Sequence, residues 1–510
     1  MVTEATLVHF LKTSAERNPS AEAIVQGDSR VTYGELWRAA SGVAEFLRSQ
    51  QLGLGDRVAL LLTNSYDYVA AYYGVLMAGG VVVPLNTEAK ARDVLNWIKH
   101  SESNVLFLQS NHGEFSNLID DCDGGLTIVA SGEGGEESVR ENLYWRSDVC
   151  QPIDNFHDLE HLEDTSRLAS IIYTSGTTGA PKGVMLSHQN LASNTVSIVS
   201  YLQLSGQDKV LCVLPFYYSY GNSVLHTHLA VGGCIVIENN MMYPNKVLQQ
   251  ISDEKVTGFS GVPTTFSMLL RARNFDTYEF SSIRYMTQAG GAMPPANINR
   301  VKALFPDVDF IVMYGQTEAT ARLSYLPPTM LNDKLGSVGV AIPGVEIEVR
   351  DAAGNAVSMG TSGEICARGQ NVMMGYWKNV DASNAVFNNG WLKTGDTAHL
   401  DDDGFIYIDG RSSDFIKSGA HRISPKEIEE VIYELDGVSE VVVVPAPDEL
   451  LGHVIKAVVV PGDKSAISER DIKAYCLKNL ARYKIPKFVV FVDELPKTGS
   501  GKIKKYLLVE

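Results

Sequence analysis

Short runs of aliphatic and β-branched residues, each handing over to a stretch with helical spacing, recur along this chain and constrain its fold more than any other feature. Arg57–Leu62 precedes a helical stretch through Met77, Gly80–Pro84 precedes Ala89 to His100, and Asn104–Leu108 follows. The pattern resumes at Lys209–Leu214, Cys234–Ile237, Val256–Phe259 and Asp309–Met313. Strands this short and this apolar are covered on both faces, and helices between them build βαβ units, so a largely parallel sheet is expected. Residues 111–165 are polar and acidic and read as irregular surface connections.

The character changes after residue 335. Glu346–Arg350, Gly363–Ala367 and Gly404–Ile408 are short alternating strands with Gly and Asp turns, which predicts a small antiparallel β subdomain. A boundary is expected at Asp409–Ser413. Beyond it lies a segment with its own core: a helix opened by Ser424-Pro-Lys-Glu427, read as a capping box, then strands at Val438–Val444 and Val454–Val460, then a capped helix near Ser468. The expected fold class is α/β. A large N-terminal domain (1–409) of parallel-sheet βα layers with a small β subdomain is followed by a hinge (410–413) and a small α+β domain (414–510).

The 510 residues exceed what one core usually supports, which agrees with that division. Sixty acidic against 43 basic side chains give a net charge of −17, which repels a nucleic-acid backbone, and no basic stripe offsets it. The six cysteines are scattered without metal spacing and read as reduced core residues of a cytoplasmic protein. His188, His226, His228 and His421 likewise lack metal spacing. The N-terminus carries no secretory pattern and no apolar run is long enough to span a membrane.

The chemistry-bearing segment is Tyr173-Thr-Ser-Gly-Thr-Thr-Gly-Ala-Pro-Lys-Gly-Val184. It follows the apolar run Leu168–Ile172 and precedes the polar Ser187-His188-Gln189-Asn190. A strand feeding such a loop offers backbone N–H groups, the hydroxyls of Thr174, Ser175, Thr177 and Thr178, and the Lys182 ammonium to one anion, as a polyphosphate requires. It is not a Walker A loop, because no Gly-Lys-Ser/Thr follows a glycine at the required spacing. Five further segments carry polar residues at strand ends or turns: Gly290-Gly-Ala292, Tyr314-Gly-Gln-Thr-Glu318, Thr394-Gly-Asp396, Gly410-Arg411 with Ile416-Lys-Ser-Gly419, and Pro496-Lys-Thr-Gly-Ser-Gly-Lys502.

In this order, from about residue 6 to 505, these motifs resemble the acyl-adenylate-forming superfamily of acyl-CoA synthetases, nonribosomal peptide adenylation domains and firefly-type luciferases. The resemblance implies ATP-dependent activation of a carboxylic acid as acyl-AMP, release of pyrophosphate and transfer of the acyl group to a thiol. It implies that Thr174, Ser175, Gly176, Thr177, Thr178 and Lys182 hold the β- and γ-phosphates. Gly290, Gly291 and Ala292 would line the adenine slot, with Tyr314 on the base and Gly315 beside it. Thr317 would donate to the α-phosphate, Glu318 would ligate Mg²⁺, Asp396 would accept from the ribose hydroxyls, and Arg411 would support them. Lys502, from a small domain that swings about the hinge, would bridge the carboxylate and the α-phosphate. An ordinary lysine is protonated at neutral pH, so its role is an electrostatic clamp and not a base. Lys417 and Gly419 would face the thiol.

Two departures bear on the substrate. Tyr218 stands in Pro215-Phe-Tyr-Tyr-Ser-Tyr-Gly221 where many acyl-CoA synthetases have a histidine, and Ser219 stands near the aspartate that pairs with the ammonium in α-amino-acid enzymes. An ammonium without a partner would be costly there. A fatty, aryl or other uncharged-chain acid is therefore expected, in a pocket drawn from Tyr217, Tyr218, Ser219, Asn222, His226, His228, Phe259, Val262, Pro263, Thr264 and the 285–291 strand. At the hinge, Ser413 stands where the family usually has Asp or Lys. The expected acceptor is coenzyme A, with the phosphopantetheine of a separate carrier protein as the alternative, since the chain stops eight residues after Lys502 and no fused carrier domain is expected. A luciferase-like oxidase and a nucleotide-binding regulator without catalysis are the rival readings, and a monomer or homodimer is expected.

Overall fold

In the computed structural model, the described residues are 5–121, 125–132, 142–154, 156, 159–174, 182–241, 243–272, 274–411, 415–418, 421–448, 452–462, 467–498 and 503–509. Two large sheets organise the N-terminal part. In the first, the strands Asp309–Tyr314, Tyr285–Gln288, Gly258–Gly261, Lys209–Cys212, Cys234–Ile237 and Glu22–Gln26 lie side by side in that order, all parallel. In the second, Leu168–Thr174, Val81–Pro84, Arg57–Leu61, Ser103–Gln109, Thr127–Ser131 and Leu143–Trp145 are parallel neighbours.

Side chains alternate between two cores, as a pleated strand dictates. Val210 and Cys212 face the helices between the sheets, while Leu211 between them joins the outer core of the first sheet. Val58 and Leu60 face inward, while Ala59 and Leu61 face the outer core of the second sheet. The inner helices include Leu7–Arg17, Tyr33–Ser49, Tyr66–Met77, His188–Leu202 and Ser219–Val231. Burial on both faces explains why these strands read as unbroken apolar runs.

Residues 111–165 are not uniformly irregular, contrary to the expectation from their composition. Thr127–Ser131 and Leu143–Trp145 extend the second sheet, with Ile128, Val129 and Ala130 buried. The acidic residues flanking these short strands set the average polarity, and the sheet edge decides their conformation.

The expected β subdomain is a five-stranded antiparallel sheet of Val345–Arg350, Gly363–Gly369, Trp391–Leu400, Phe387–Asn388 and Ile406–Arg411. The C-terminal part is α+β. Val438–Asp448 and Gly452–Pro461 form a long hairpin, Phe488–Phe491 pairs parallel with the second strand, and helices Pro425–Tyr433 and Glu469–Asn479 pack on the sheet.

Ser468 caps the second of these helices in a full capping box with Asp471. Ser424 does not cap the first. Its hydroxyl donates to the Asp409 carbonyl at 2.7 Å, and Glu427 pairs with Lys484 at 2.6 Å. The expected box is thus replaced by a tie across the boundary, reinforced by Lys426 Nζ donating to the Ile408 carbonyl at 2.8 Å. No helix among the described residues is long and apolar enough to cross a membrane.

Candidate active site

Ligands of open parallel sheets sit beyond the carboxyl ends of the strands. Four adjacent strands of the first sheet deliver sequence-predicted residues to that edge. Lys209–Cys212 leads to Tyr218 and Ser219, Gly258–Gly261 to Thr264, Tyr285–Gln288 to Gly290–Ala292, and Asp309–Tyr314 to Gly315, Thr317 and Glu318. The acid-pocket candidates and the nucleotide candidates therefore share one rim.

Each segment has a local reason for its course. Asn64 clamps the first: its Nδ2 donates to the Leu214 carbonyl at 2.8 Å and its Oδ1 accepts from the Phe216 amide at 2.7 Å. Helix Ser219–Val231 then begins with the Ser219 hydroxyl 3.2 Å from that of Thr317. Gly290 has φ +85°, open to glycine at little cost, and Gln288 Nε2 pins the turn by donating to the Gly291 carbonyl at 2.8 Å. At Gly315 a Cβ would lie 2.0 Å from the Ala321 carbonyl oxygen, so only glycine lets the chain fold back under the Thr317–Ala319 turn. Thr320 ends that turn at φ +65°, a strained position for a β-branched residue, held by its hydroxyl on the Asn371 carbonyl at 2.7 Å.

The second sheet supplies the cationic side. Leu168–Thr174 and Lys182–Ser187 pair antiparallel, with Thr174 opposite Lys182, so the two residues flank the mouth of the loop between them. Ser175, Gly176, Thr177 and Thr178 lie outside the described residues. Asn190, in the polar segment after the loop, accepts the amide of the N-cap residue Ser187 on Oδ1 at 2.8 Å and donates from Nδ2 to the Gln370 and Val372 carbonyls at 2.7 and 2.9 Å. That tie holds the chain leading to Gly375–Tyr376, which pairs on the hairpin with Tyr376 opposite Val184.

Tyr376 was not among the expected residues and links two that were. Its hydroxyl donates to Glu318 Oε1 at 2.9 Å, and Lys182 Nζ stands 4.9 Å above its ring centroid. Burial, then the Glu318 carboxylate, push the phenol pKa above its ordinary value, so the proton stays on the tyrosine. An isolated aromatic 58 residues from Glu318 gives no local signal in sequence.

The β subdomain brings Asp396 and Arg411 opposite each other in register. Buried Asp396 accepts from the Tyr314 hydroxyl at 2.7 Å on Oδ2 and from Arg411 Nε at 3.1 Å on Oδ1. Burial and the Asp396 charge hold the Tyr314 phenol pKa well above its usual value.

Other expected residues are placed differently. Asn222 is buried, with Nδ2 donating to the Phe216 carbonyl at 3.1 Å and Oδ1 accepting from Tyr72 at 3.4 Å, so its amide serves the core. His228 is held between the Val224 carbonyl and the Tyr285 hydroxyl, at 2.8 and 2.7 Å. His226 is buried against Tyr72, and its Nε2 has no partner among the described residues. Lys417 is exposed on the strand Ile416–Ser418 of the C-terminal part, while Gly419 and Lys502 lie outside the described residues. No cluster of three or more metal-ligating side chains occurs among the described residues, so any metal here would rest on one carboxylate plus ligand oxygens.

Comparison with known proteins agrees with this geometry. Residues 11–377 match the family model described as AMP-binding enzyme, and residues 427–502 match that of the AMP-binding enzyme C-terminal domain. A feruloyl-CoA synthase of Amycolatopsis sp is 33% identical over 493 residues, 96% of each chain. Among solved structures, an anthranilate CoA ligase in complex with anthranoyl-AMP superposes with a TM-score of 0.89 at 28% identity, covering 99% of this chain and 96% of that one. An o-succinylbenzoate coenzyme A synthetase of Bacillus subtilis, in complex with ATP and magnesium ion, superposes with a TM-score of 0.84 at 29% identity, covering 98% of each chain.

Proposed function

Since the chain belongs to the AMP-binding enzyme family, we propose that it is an ATP-dependent, AMP-forming ligase that joins a non-α-amino carboxylic acid to the thiol of coenzyme A. A carboxylate oxygen attacks the α-phosphorus of ATP, the bond to the β-phosphate oxygen breaks, and pyrophosphate leaves. The thiol, losing its proton, then attacks the acyl carbon, and AMP departs with the oxygen that joined it to the acid.

The observation that carries this reading is the meeting of Ser219, from the acid side, with Thr317, from the nucleotide side, at 3.2 Å. A carboxylate at Ser219 and an α-phosphate at Thr317 would be neighbours, which is the positioning that an in-line attack needs. Asp396 uses one contact on each oxygen, and a carboxylate has about four lone-pair sites, so it retains acceptors for ribose hydroxyls. Lys182 would meet the β- and γ-phosphates, and Gly290–Ala292 with Tyr314 would line the adenine slot. Glu318 would hold Mg²⁺ together with the nucleotide's phosphates, and that ion would neutralise charge on the departing pyrophosphate.

Pyrophosphate release across a panel of carboxylic acids, with and without coenzyme A, tests the reading. Release is expected to require an acid, and thioester to form only with coenzyme A present. ATP binding without acid-dependent release would instead support a nucleotide-binding regulator.

Tyr376→Phe tests the site internally. Loss of the donor that orients Glu318 is expected to weaken activity about 10–100-fold, with a higher Mg²⁺ requirement. An unchanged Mg²⁺ titration would remove Tyr376 from any role in metal positioning.

A further inference from the structure

Thr320 reverses the chain beneath the rim in a conformation that L-residues avoid. With φ +65° and ψ −60° it is the centre of a γ-turn, closed by the Ala321 amide on the Ala319 carbonyl at 2.7 Å. This form of γ-turn is rare and strained, and a β-branched side chain adds to the cost. The turn lets the chain double back: Ala321 passes under Gly315, and the Leu323 amide returns to the Tyr314 carbonyl at 2.9 Å. Thr317 and Glu318 lie on the outgoing arm, so the turn sets where their side chains stand.

Strain of this kind persists only where the surroundings over-determine it. Asn371, 2% exposed, is the residue that does so. Its Nδ2 donates to the Ala319 carbonyl at 3.2 Å and to the Arg322 carbonyl at 2.8 Å, and its own carbonyl accepts the Thr320 hydroxyl at 2.7 Å. The three bonds take hold of the turn before its centre, at its centre and beyond it. Asn194 Nδ2 reinforces the far side by donating to the Arg322 carbonyl at 3.3 Å. The Met373 amide meets the Glu318 carbonyl at 2.9 Å, so the segment that carries Asn371 also holds the outgoing arm.

Resting on the ligase reading above, we propose that Asn371 is a positioning residue for adenylate formation. It locks the γ-turn at Thr320 and thereby holds the Thr317 hydroxyl and the Glu318 carboxylate where the α-phosphate and the metal need them. Without the side-chain amide, Thr320 relaxes toward negative φ, the turn opens, and both groups leave their places together. A misplacement of about 1 Å at the reacting groups can cost about 10²-fold in rate. Glycine at 320 adopts a positive φ at little cost, so there the turn keeps its course without the clamp.

A double-mutant cycle separates this role from ordinary packing. Acid-dependent pyrophosphate release is measured with the most active of benzoate, cinnamate, octanoate and palmitate, for wild type, Asn371→Ala, Thr320→Gly and the double variant. Asn371→Ala is expected to lower kcat about 10²-fold beside Thr320, with the KM of the acid within about 3-fold, and to lower kcat no more than about 3-fold beside glycine. Equal losses in the two backgrounds, a loss carried by the acid's KM, or a wild-type kcat for Asn371→Ala overturns the positioning role and leaves the ligase reading standing. If Asn371→Ala does not fold, judged by Tm, the double variant decides. A kcat within about 3-fold of Thr320→Gly supports the role, and any lower value, or failure to fold, overturns it. A wild type whose Tm rises with ATP but which releases pyrophosphate with none of these acids overturns both.

Discussion

Lys502→Ala is expected to lose about 10²–10³-fold in adenylate formation while forming thioester from supplied acyl-AMP at nearly the wild-type rate. Two anions, a carboxylate and a triphosphate, repel each other at the moment of attack, and a preorganised ammonium between them is worth far more there than in water. The described residues supply only part of that neutralisation. Lys182 stands at the loop mouth, and Arg411 is spent on Asp396. The family resemblance implies that Lys502, which lies outside the described residues, supplies the missing cation. Thioester formation has no triphosphate to approach, so it should not need this lysine. Pyrophosphate exchange and single-turnover thioester formation from acyl-AMP separate the two steps. Equal loss in both would remove Lys502 from the role.

Acidification is expected to destabilise the fold steeply below neutrality. Burial lowers the pKa of His188 to about 3, of His226 to about 3 and of His228 to about 4, from the ordinary 6.5. For His188 the Arg167 charge adds to burial, and for His228 the Val224 carbonyl opposes it. Below pH 6.5 the unfolded chain binds three protons that the native chain does not, so stability falls as pH falls. Each histidine contributes about 1.4 kcal/mol per pH unit until its folded pKa is reached. Together they cost about 4 kcal/mol per unit, a large share of an ordinary domain's stability of about 5–15 kcal/mol. Tm measured between pH 7 and 5 should drop accordingly, and His228→Gln should flatten the curve by about a third. A Tm unchanged over that interval would mean that these histidines are not held neutral.

The strand runs were legible in sequence because both faces of each sheet are covered, which erases polar alternation from Val58–Leu61 and Val210–Cys212. The site segments were legible because their glycines, hydroxyls and carboxylates gather where adjacent parallel strands end. Contacts across the sheets were not legible. Tyr376 reaches Glu318 only because the strand Gly375–Tyr376 lies on the hairpin beside Lys182. Arg322 gives no local signal of its burial, yet Tyr220 and Met313 enclose it. Asn222 has the residue type of a pocket lining, yet its amide closes a bond to Phe216 in the core. The Ser424 box fails for the same reason, because a partner outside the helix, the Asp409 carbonyl, takes the hydroxyl. Thr127–Ser131 has a β-type run of its own, Thr-Ile-Val-Ala, which the polar average of residues 111–165 hid.

The fate of the carboxylate oxygen tests the central claim most directly. With an acid labelled with heavy oxygen in its carboxylate, AMP recovered after thioester formation should carry one labelled oxygen, because the acid attacks the α-phosphorus and AMP leaves with that atom. Label in pyrophosphate or inorganic phosphate, with unlabelled AMP or ADP as the nucleotide product, would contradict the account.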